Sequence, residues 1–233
     1  MCALVPLFLV AGCPWETQPL GGIVEGTVLF EGRPAPGKIV SLLVAKGSAF
    51  SDVTTASSDT SGVYRFTGLA AGAYKVAYVS VSVPDGNNVK REPNEIGIWR
   101  TRARDVSSSA GARMPAFDVA YNGLIYPSSG LQYIVSNSLP LPFHWSTHMQ
   151  AQKYRLLIFN NCCGKEPAWW PAQIDWYSQP TALFSRDLNP GTYSWQVIID
   201  AGDAGEGRSL VRRVDMGPPS APPSAPGEVP ALP

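Results

Sequence analysis

The chain has 233 residues, with 18 basic and 18 acidic side chains and a formal net charge of zero, so no net field draws it to nucleic acid or to an anionic surface. Charged residues make up only 15%, glycine and proline contribute 22 each, and almost no window repeats apolar residues at helical spacing over three turns, which excludes a helical protein. A chain of this length forms one large domain or two small ones, and the short, turn-punctuated patterns favour two small β domains.

Residues 1–13 read MCALVPLFLVAGC. The apolar run at 3–10 is too short to cross a bilayer as a helix and ends in small residues, which is the build of a secretory signal. Val10-Ala11-Gly12-Cys13 resembles the lipobox of bacterial lipoproteins, although no Lys or Arg precedes the apolar run. The resemblance implies that residues 1–12 are a removable signal peptide and that Cys13 becomes a lipid-bearing N-terminus. An exported, lipid-anchored protein of the bacterial cell envelope, on the outer membrane or cell surface, is therefore expected. Residues 13–21, polar and punctuated by Gly and Pro, read as its tether.

Strand signals begin next. Over residues 23–30, Val24, Gly26, Val28 and Phe30 alternate with Ile23, Glu25, Thr27 and Leu29, the period-2 pattern of a strand with one buried face. Glu31-Gly32-Arg33-Pro34 reads as a turn, and the apolar run 39–45 suits a strand buried on both faces. The stretch 57–76, SSDTSGVYRFTGLAAGAYKV, is a β-meander: residues 59–62 turn, Tyr64 and Phe66 alternate with polar neighbours, Gly68 and Gly72 bracket a bend, and Tyr74, Val76 and Tyr78 resume the alternation. A strand over 74–83 and a loop at Pro84-Asp85-Gly86-Asn87-Asn88 follow. The succession Val24, Gly26, Val28, Gly32, Pro34, Val40, Leu42, Asp59, Gly62, Tyr64, Phe66, Leu69, Gly72, Tyr74 and Val76 resembles the carboxypeptidase regulatory-like domain, a transthyretin-like or starch-binding-like β-sandwich. That resemblance covers about residues 22–84 and implies an accessory module without catalytic residues, with the whole sandwich expected over 22–117.

Residues 87–114 hold Lys90, Arg91, Arg100, Arg102, Arg104 and Arg113 without regular spacing. Residues 94–104, NEIGIWRTRAR, alternate weakly and are expected to form an edge strand shielded by its arginines. Two readings of these cations remain, a basic surface for an anionic polymer and a solvated edge; the lack of a dense cluster favours the solvated edge.

From residue 122 the pattern restarts. Strands are expected at 124–127, at 141–146 with Phe143 and Trp145 on one face, at 153–160 with Tyr154, Leu156 and Ile158 on one face, and at 174–177, 182–185 and 192–200. Pro127 with Gly130, Phe143-x-Trp145, Ala151-x-x-Tyr154-x-Leu156 and Leu188-x-Pro190-Gly191-x-Tyr193-x-Trp195-x-Val197 resemble the fibronectin type III-like domains of bacterial surface proteins, over 120–216. The resemblance implies that Trp145, Tyr193, Trp195 and Val197 fill a core. Residues 217–233, GPPSAPPSAPGEVPALP, are too proline-rich to build one and are expected to form a disordered spacer. The expected fold is thus all-β, two tandem Ig-like or transthyretin-like β-sandwiches with a disordered Pro-rich C-terminal tail.

Little in the sequence can carry chemistry. Only His144 and His148 are available as bases near neutral pH, and no nucleophile elbow, phosphate loop or metalloprotease helix is present, so no enzyme is expected. His144, His148, Cys162 and Cys163 are ligand types that zinc prefers, yet adjacent cysteines rarely bind one tetrahedral ion together. Asp52, Asp59, Asp200 and Asp203 fit ordinary Asp/Gly turns better than a calcium loop, so neither a metal nor a cofactor is expected. Cys162 and Cys163 would close only a strained ring with each other, which leaves two free thiols or an intermolecular bridge, and the sequence does not choose. The segment 169–177 is richest in flat aromatic rings, and Trp169, Trp170, Trp176 and Tyr177 are the candidate carbohydrate- or partner-binding residues. Consecutive residues of a strand face opposite sides, so one of Trp169 and Trp170 is expected outward. The expected function is that of a non-catalytic, lipid-anchored binding or scaffolding module that recognises carbohydrate. The alternative is a purely structural component of an envelope assembly. Its partners would be the membrane, through the lipid on Cys13, and a glycan or an envelope protein, not nucleic acid.

Overall fold

The computed structural model describes residues 21–80, 83–85, 88–90, 94–107, 109–128, 132–134, 140–160, 176–184 and 190–217. Cys13, Cys162, Cys163, Trp169, Trp170 and the tail from Pro218 onward lie outside them. Among the described residues the chain is all β apart from one 3-10 turn at Gly202–Ala204. The first half holds β1 (Gly22–Phe30), β2 (Arg33–Pro34), β3 (Ile39–Lys46), β4 (Ala49–Ser57), β5 (Val63–Leu69), β6 (Gly72–Val79), β7 (Val83–Asp85), β8 (Asn88–Lys90), β9 (Ile98–Arg100), β10 (Arg104–Val106), β11 (Ala112–Arg113) and β12 (Phe117–Asp118). The second holds β13 (Leu124–Tyr126), β14 (Gln132–Ile134), β15 (Leu141–Trp145), β16 (Lys153–Asn160), β17 (Trp176–Tyr177), β18 (Thr181–Phe184), β19 (Gly191–Asp200), β20 (Glu206–Arg208) and β21 (Arg212–Gly217).

β1 shows how the sequence pattern becomes a sandwich. Its burial alternates strictly, with Val24 and Val28 fully buried, because a strand with one face on a core must place every second side chain inside. It pairs antiparallel with β2 and β5 and parallel with β11 and β12. The inward residues of this sheet meet Val40, Leu42, Val76 and Tyr78 from β3 and β6 of the facing sheet. Gly26 has a specific reason to lack a side chain. It pairs with Tyr64, and a Cβ there would come within 2.2 Å of the Tyr64 hydroxyl, so the glycine makes room for a buried ring.

In the second half, β13, β15 and β18 form a small sheet that packs on β16, β19 and β21. Phe143 meets Trp195 edge-on at 5.1 Å, and Trp145 meets Tyr154 edge-on at 5.7 Å. Trp145, Tyr193, Trp195 and Val197 are all buried. Rings in such arrangements contribute about 0.5–1.5 kcal/mol beyond the area they bury.

The halves share one sheet. β20 leaves β19 and pairs antiparallel with β9, so a single eleven-stranded sheet passes from β4 through β3, β6, β9, β20 and β19 to the strands of the second half. Here the structure departs from the sequence reading. The strand at the centre of the segment expected as an edge, β9, is interior, because it is paired on both sides; its Arg100 turns to solvent while Trp99 beside it is buried. One edge of the sheet is β4, which pairs only with β3 among the described residues and is exposed along most of both faces, leaving no apolar alternation to read. β6 stops at Val79, and the expected loop beyond it contains the β7–β8 ladder.

Candidate functional site

Where β9 meets β20, Trp99 is fully buried and its indole nitrogen donates to the Ala204 carbonyl at 3.0 Å, a bond from the first half to the second. Its ring stacks on Phe117 at 5.8 Å and on His148 at 5.3 Å. Gly207 lies opposite Trp99, and a Cβ on it would stand 2.7 Å from the indole, so only glycine lets the two strands approach.

His148 is held on every side. Its backbone N–H donates to the Tyr154 hydroxyl at 2.9 Å, its Nδ1 accepts from the Gln150 backbone N–H at 3.2 Å, and its Nε2 reaches the Asp118 carbonyl at 3.1 Å. Those partners place the ring proton on Nε2. Burial holds the imidazole below its usual range, against the smaller opposing influence of Asp118. The Gln150 side chain adds two bonds to the same segment, accepting from the Asp118 N–H at 2.7 Å and donating to the Ala116 carbonyl at 3.0 Å. The Asp118 carboxylate in turn accepts from the N–H groups of Glu31, Gly32 and Ala120. This set of contacts is a joint. His144, by contrast, points to solvent from β15, beside Tyr126.

Other candidate acids are similarly engaged. Glu95, buried, is bound by the Lys38 ammonium and the Tyr78 hydroxyl beside a cleft of about 260 Å³ between the halves, also lined by Asn94, Tyr121, Asn122 and Arg212. Asp59 accepts from the N–H groups of Ser61 and Val63, which makes it a turn residue. Asp200 accepts from Gly202 N–H and pairs with Arg102 and Lys153. Among the described residues no three His, Cys, Asp or Glu side chains assemble as a metal site.

The aromatic candidates divide by face. On β17, Trp176 turns outward and is 37% exposed, while Tyr177 turns inward, edge-on to Trp145 at 6.2 Å and half-buried. Trp176 does not stand alone: Lys153 Nζ lies 4.5 Å and the Arg155 guanidinium 4.3 Å from its ring centre. Lys153 and Arg155 alternate with buried Tyr154 on β16, a signal present in the sequence but visible as a site only once β17 is placed beside it.

Register carries this surface across both halves. Val79, Ile98, Arg208, Ile198, Arg155 and Trp176 are successive cross-strand neighbours on β6, β9, β20, β19, β16 and β17. A parallel row, Ala77, Arg100, Glu206, Asp200 and Lys153, runs beside it. Both rows lie on the side of the sheet away from the core that holds the intervening Tyr78, Trp99 and Ile199, although Ile198 and Ala77 in them are covered by their neighbours.

Neither the family models nor the curated proteins compared with the chain match it. Solved structures match it only distantly. A DUF3823 family protein from Parabacteroides merdae has 12% identity and a TM-score of 0.30, covering 83% of this chain and 98% of its own. A candidate carbohydrate-binding protein from Bacteroides uniformis has 13% identity and a TM-score of 0.29, covering 84% and 99%. GBS52, the minor pilin of Streptococcus agalactiae, has 13% identity and a TM-score of 0.31, covering 89% and 100%. At these levels the likenesses do not reach to family or ligand.

Proposed function

We propose that the protein is a non-catalytic binding module that recognises carbohydrate through the outer face around Trp176, and that it is exported and tethered by a lipid on Cys13. The observation that carries the binding reading is Trp176 itself, a large ring left partly exposed where the other tryptophans among the described residues, Trp99, Trp145 and Trp195, are buried. Exposed flat rings bind sugar rings through their CH faces. The non-catalytic reading is supported by the two histidines: one is consumed by the joint, and the other stands on an open surface with no carboxylate or nucleophile bonded to it among the described residues. The division into sandwiches at 22–117 and 120–216, and their kinship with the carboxypeptidase regulatory-like and fibronectin type III-like families, belong to the same proposal.

The test is a glycan array probed with the full chain and with Trp176→Ala. Retention on some class of glycan, lost in the variant at an unchanged melting temperature, is the expected outcome; no retention of the parent protein on any glycan would end the carbohydrate reading. The tether is checked separately by mass spectrometry of the native protein, which should show an acylated N-terminal Cys13.

One feature favours the alternative, a protein-interaction component. β4 offers nine residues of edge with Asp52 as its sole charge and no proline, which is the form that accepts an added strand from another chain.

A further inference from the structure

Resting on the carbohydrate reading above, we infer that the ligand is an acidic polysaccharide, a chain of sugar rings bearing carboxylates, which lies across the strands along the row from Val79 to Trp176 and contacts both halves. Charge is the first observation. The chain as a whole is neutral, yet on this face Arg100, Arg102, Lys153, Arg155 and Arg208 outnumber Glu206 and Asp200. Among the described residues Arg100 and Arg155 have no carboxylate partner, and Arg208 shares only the half-exposed Glu206 at 3.2 Å, a pairing that is weak in water. Any ligand approaching Trp176 meets the Lys153 and Arg155 cations over its ring. A neutral sugar would have to share or displace them, whereas a carboxylate-bearing sugar gains charge-assisted bonds beside the ring.

Spacing is the second. Arg208 and Arg155 flank Ile198 on adjacent strands, which puts their backbones on the order of 10 Å apart, the span of a disaccharide. Ile198 between them is buried under its neighbours, at 5% exposed, while the apolar positions beyond Arg208 are open to a ligand, Ile98 half-buried and Val79 exposed. Cationic and apolar positions thus occur along one line, as a chain of rings with regularly placed acids requires. The row spans five inter-strand steps, about 24 Å.

Direction is the third. The line runs perpendicular to the strands, and between β6 and β16 each strand is paired on both sides. An extended peptide laid along it finds no free backbone groups to pair with, so strand addition is excluded here and only side chains are offered. A polymer read by its rings and charges suits that surface.

The experiment uses the full chain against three immobilised polymers: polygalacturonate, its fully methyl-esterified form, which keeps the rings and loses the charge, and polyglutamate, which keeps the charge and loses the rings. Polygalacturonate is expected to retain the protein, with retention falling as salt is raised; the other two polymers are expected to retain it at least roughly tenfold more weakly. Replacing both arginines, Arg155→Ala with Arg208→Ala, should weaken binding to polygalacturonate by roughly tenfold or more with the thermal transition unmoved. Glu206→Gln, which releases Arg208, should strengthen it, a gain that a merely structural role would not produce. Equal retention on the methyl ester would overturn the acidic-ligand inference while leaving the carbohydrate reading intact. Equal retention on polyglutamate would reduce the face to a general polyanion surface and overturn it as well. If the glycan array shows retention but polygalacturonate shows none, the inference fails alone; if neither shows any, both fall together.

Discussion

Trp99 and Trp176 stand in the same eleven-stranded sheet and face opposite ways. Trp99 is sealed: its nitrogen is bonded across to Ala204, its ring is stacked between Phe117 and His148, and a glycine is kept opposite it so that nothing intrudes. Trp176 is open, held among the described residues by two cations over its ring at the end of the outer-face row. One ring stabilises the relation between the halves, and the other reports that relation to the outside, since the row it ends is continuous only while β9 and β20 remain paired. The same residue type therefore serves assembly or recognition according to which side of the pleat it occupies.

That contrast can be broken most severely at the joint. Trp99→Ala removes a fully buried indole, a bond and two stacks, and is expected to cost about 3–5 kcal/mol, read as a lowered denaturant midpoint; an unchanged midpoint would show that the joint is dispensable. Gly207→Ala tests the same place by adding atoms. A Cβ there would lie 2.3 Å from Ile96 Cδ1 as well as against Trp99, and the overpacking should cost about 1–3 kcal/mol. Acid is a gentler probe. Burial keeps the folded-state His148 below its usual 6.5, so the unfolded chain takes up the proton first as pH falls. This contribution to stability is complete above about pH 6.5 and is lost as pH drops through the lower folded value. Denaturation at pH 7.5 and at pH 5.5 should show the decline, and His148→Phe, which keeps a ring against Trp99, should flatten that part of it. Trp176→Ala sits at the far end of the scale. It should change stability by no more than about 1 kcal/mol, while abolishing the glycan retention that the joint variants affect only through folding.

What the sequence made legible follows the same division. Local patterns with one buried face were readable: the alternation of β1, the Tyr64–Phe66 and Tyr74–Tyr78 strands, and the core roles of Trp145, Tyr193, Trp195 and Val197 all emerge as expected. β4 was not, because an edge exposed on both faces has no alternation to display. β9 was misplaced because Arg100 and Arg102 suggest an edge, and nothing local announces that β20 will arrive from a hundred residues away to cover it. The burial of His148 carried no local signal; four residues from exposed His144, it is covered by a long-range contact with Trp99. The candidate row is the least legible feature of all, since its six members come from six strands and only their register makes them neighbours. Of the four aromatic candidates, Trp176 and Tyr177 are placed on opposite faces of β17, as strand geometry demands, and Trp169 and Trp170 lie outside the described residues.

The β9–β20 pairing also bears on how such a protein can change through evolution. A chain cut between residues 117 and 120 would strip Trp99 of its bond and one of its stacking partners, leave one side of β9 unpaired, and uncover the surface that His148 and Gln150 occupy. Neither half could then be shuffled into another protein without a replacement for that surface. The heritable unit is the pair, and any surface assembled across it must be inherited, lost or duplicated as a whole.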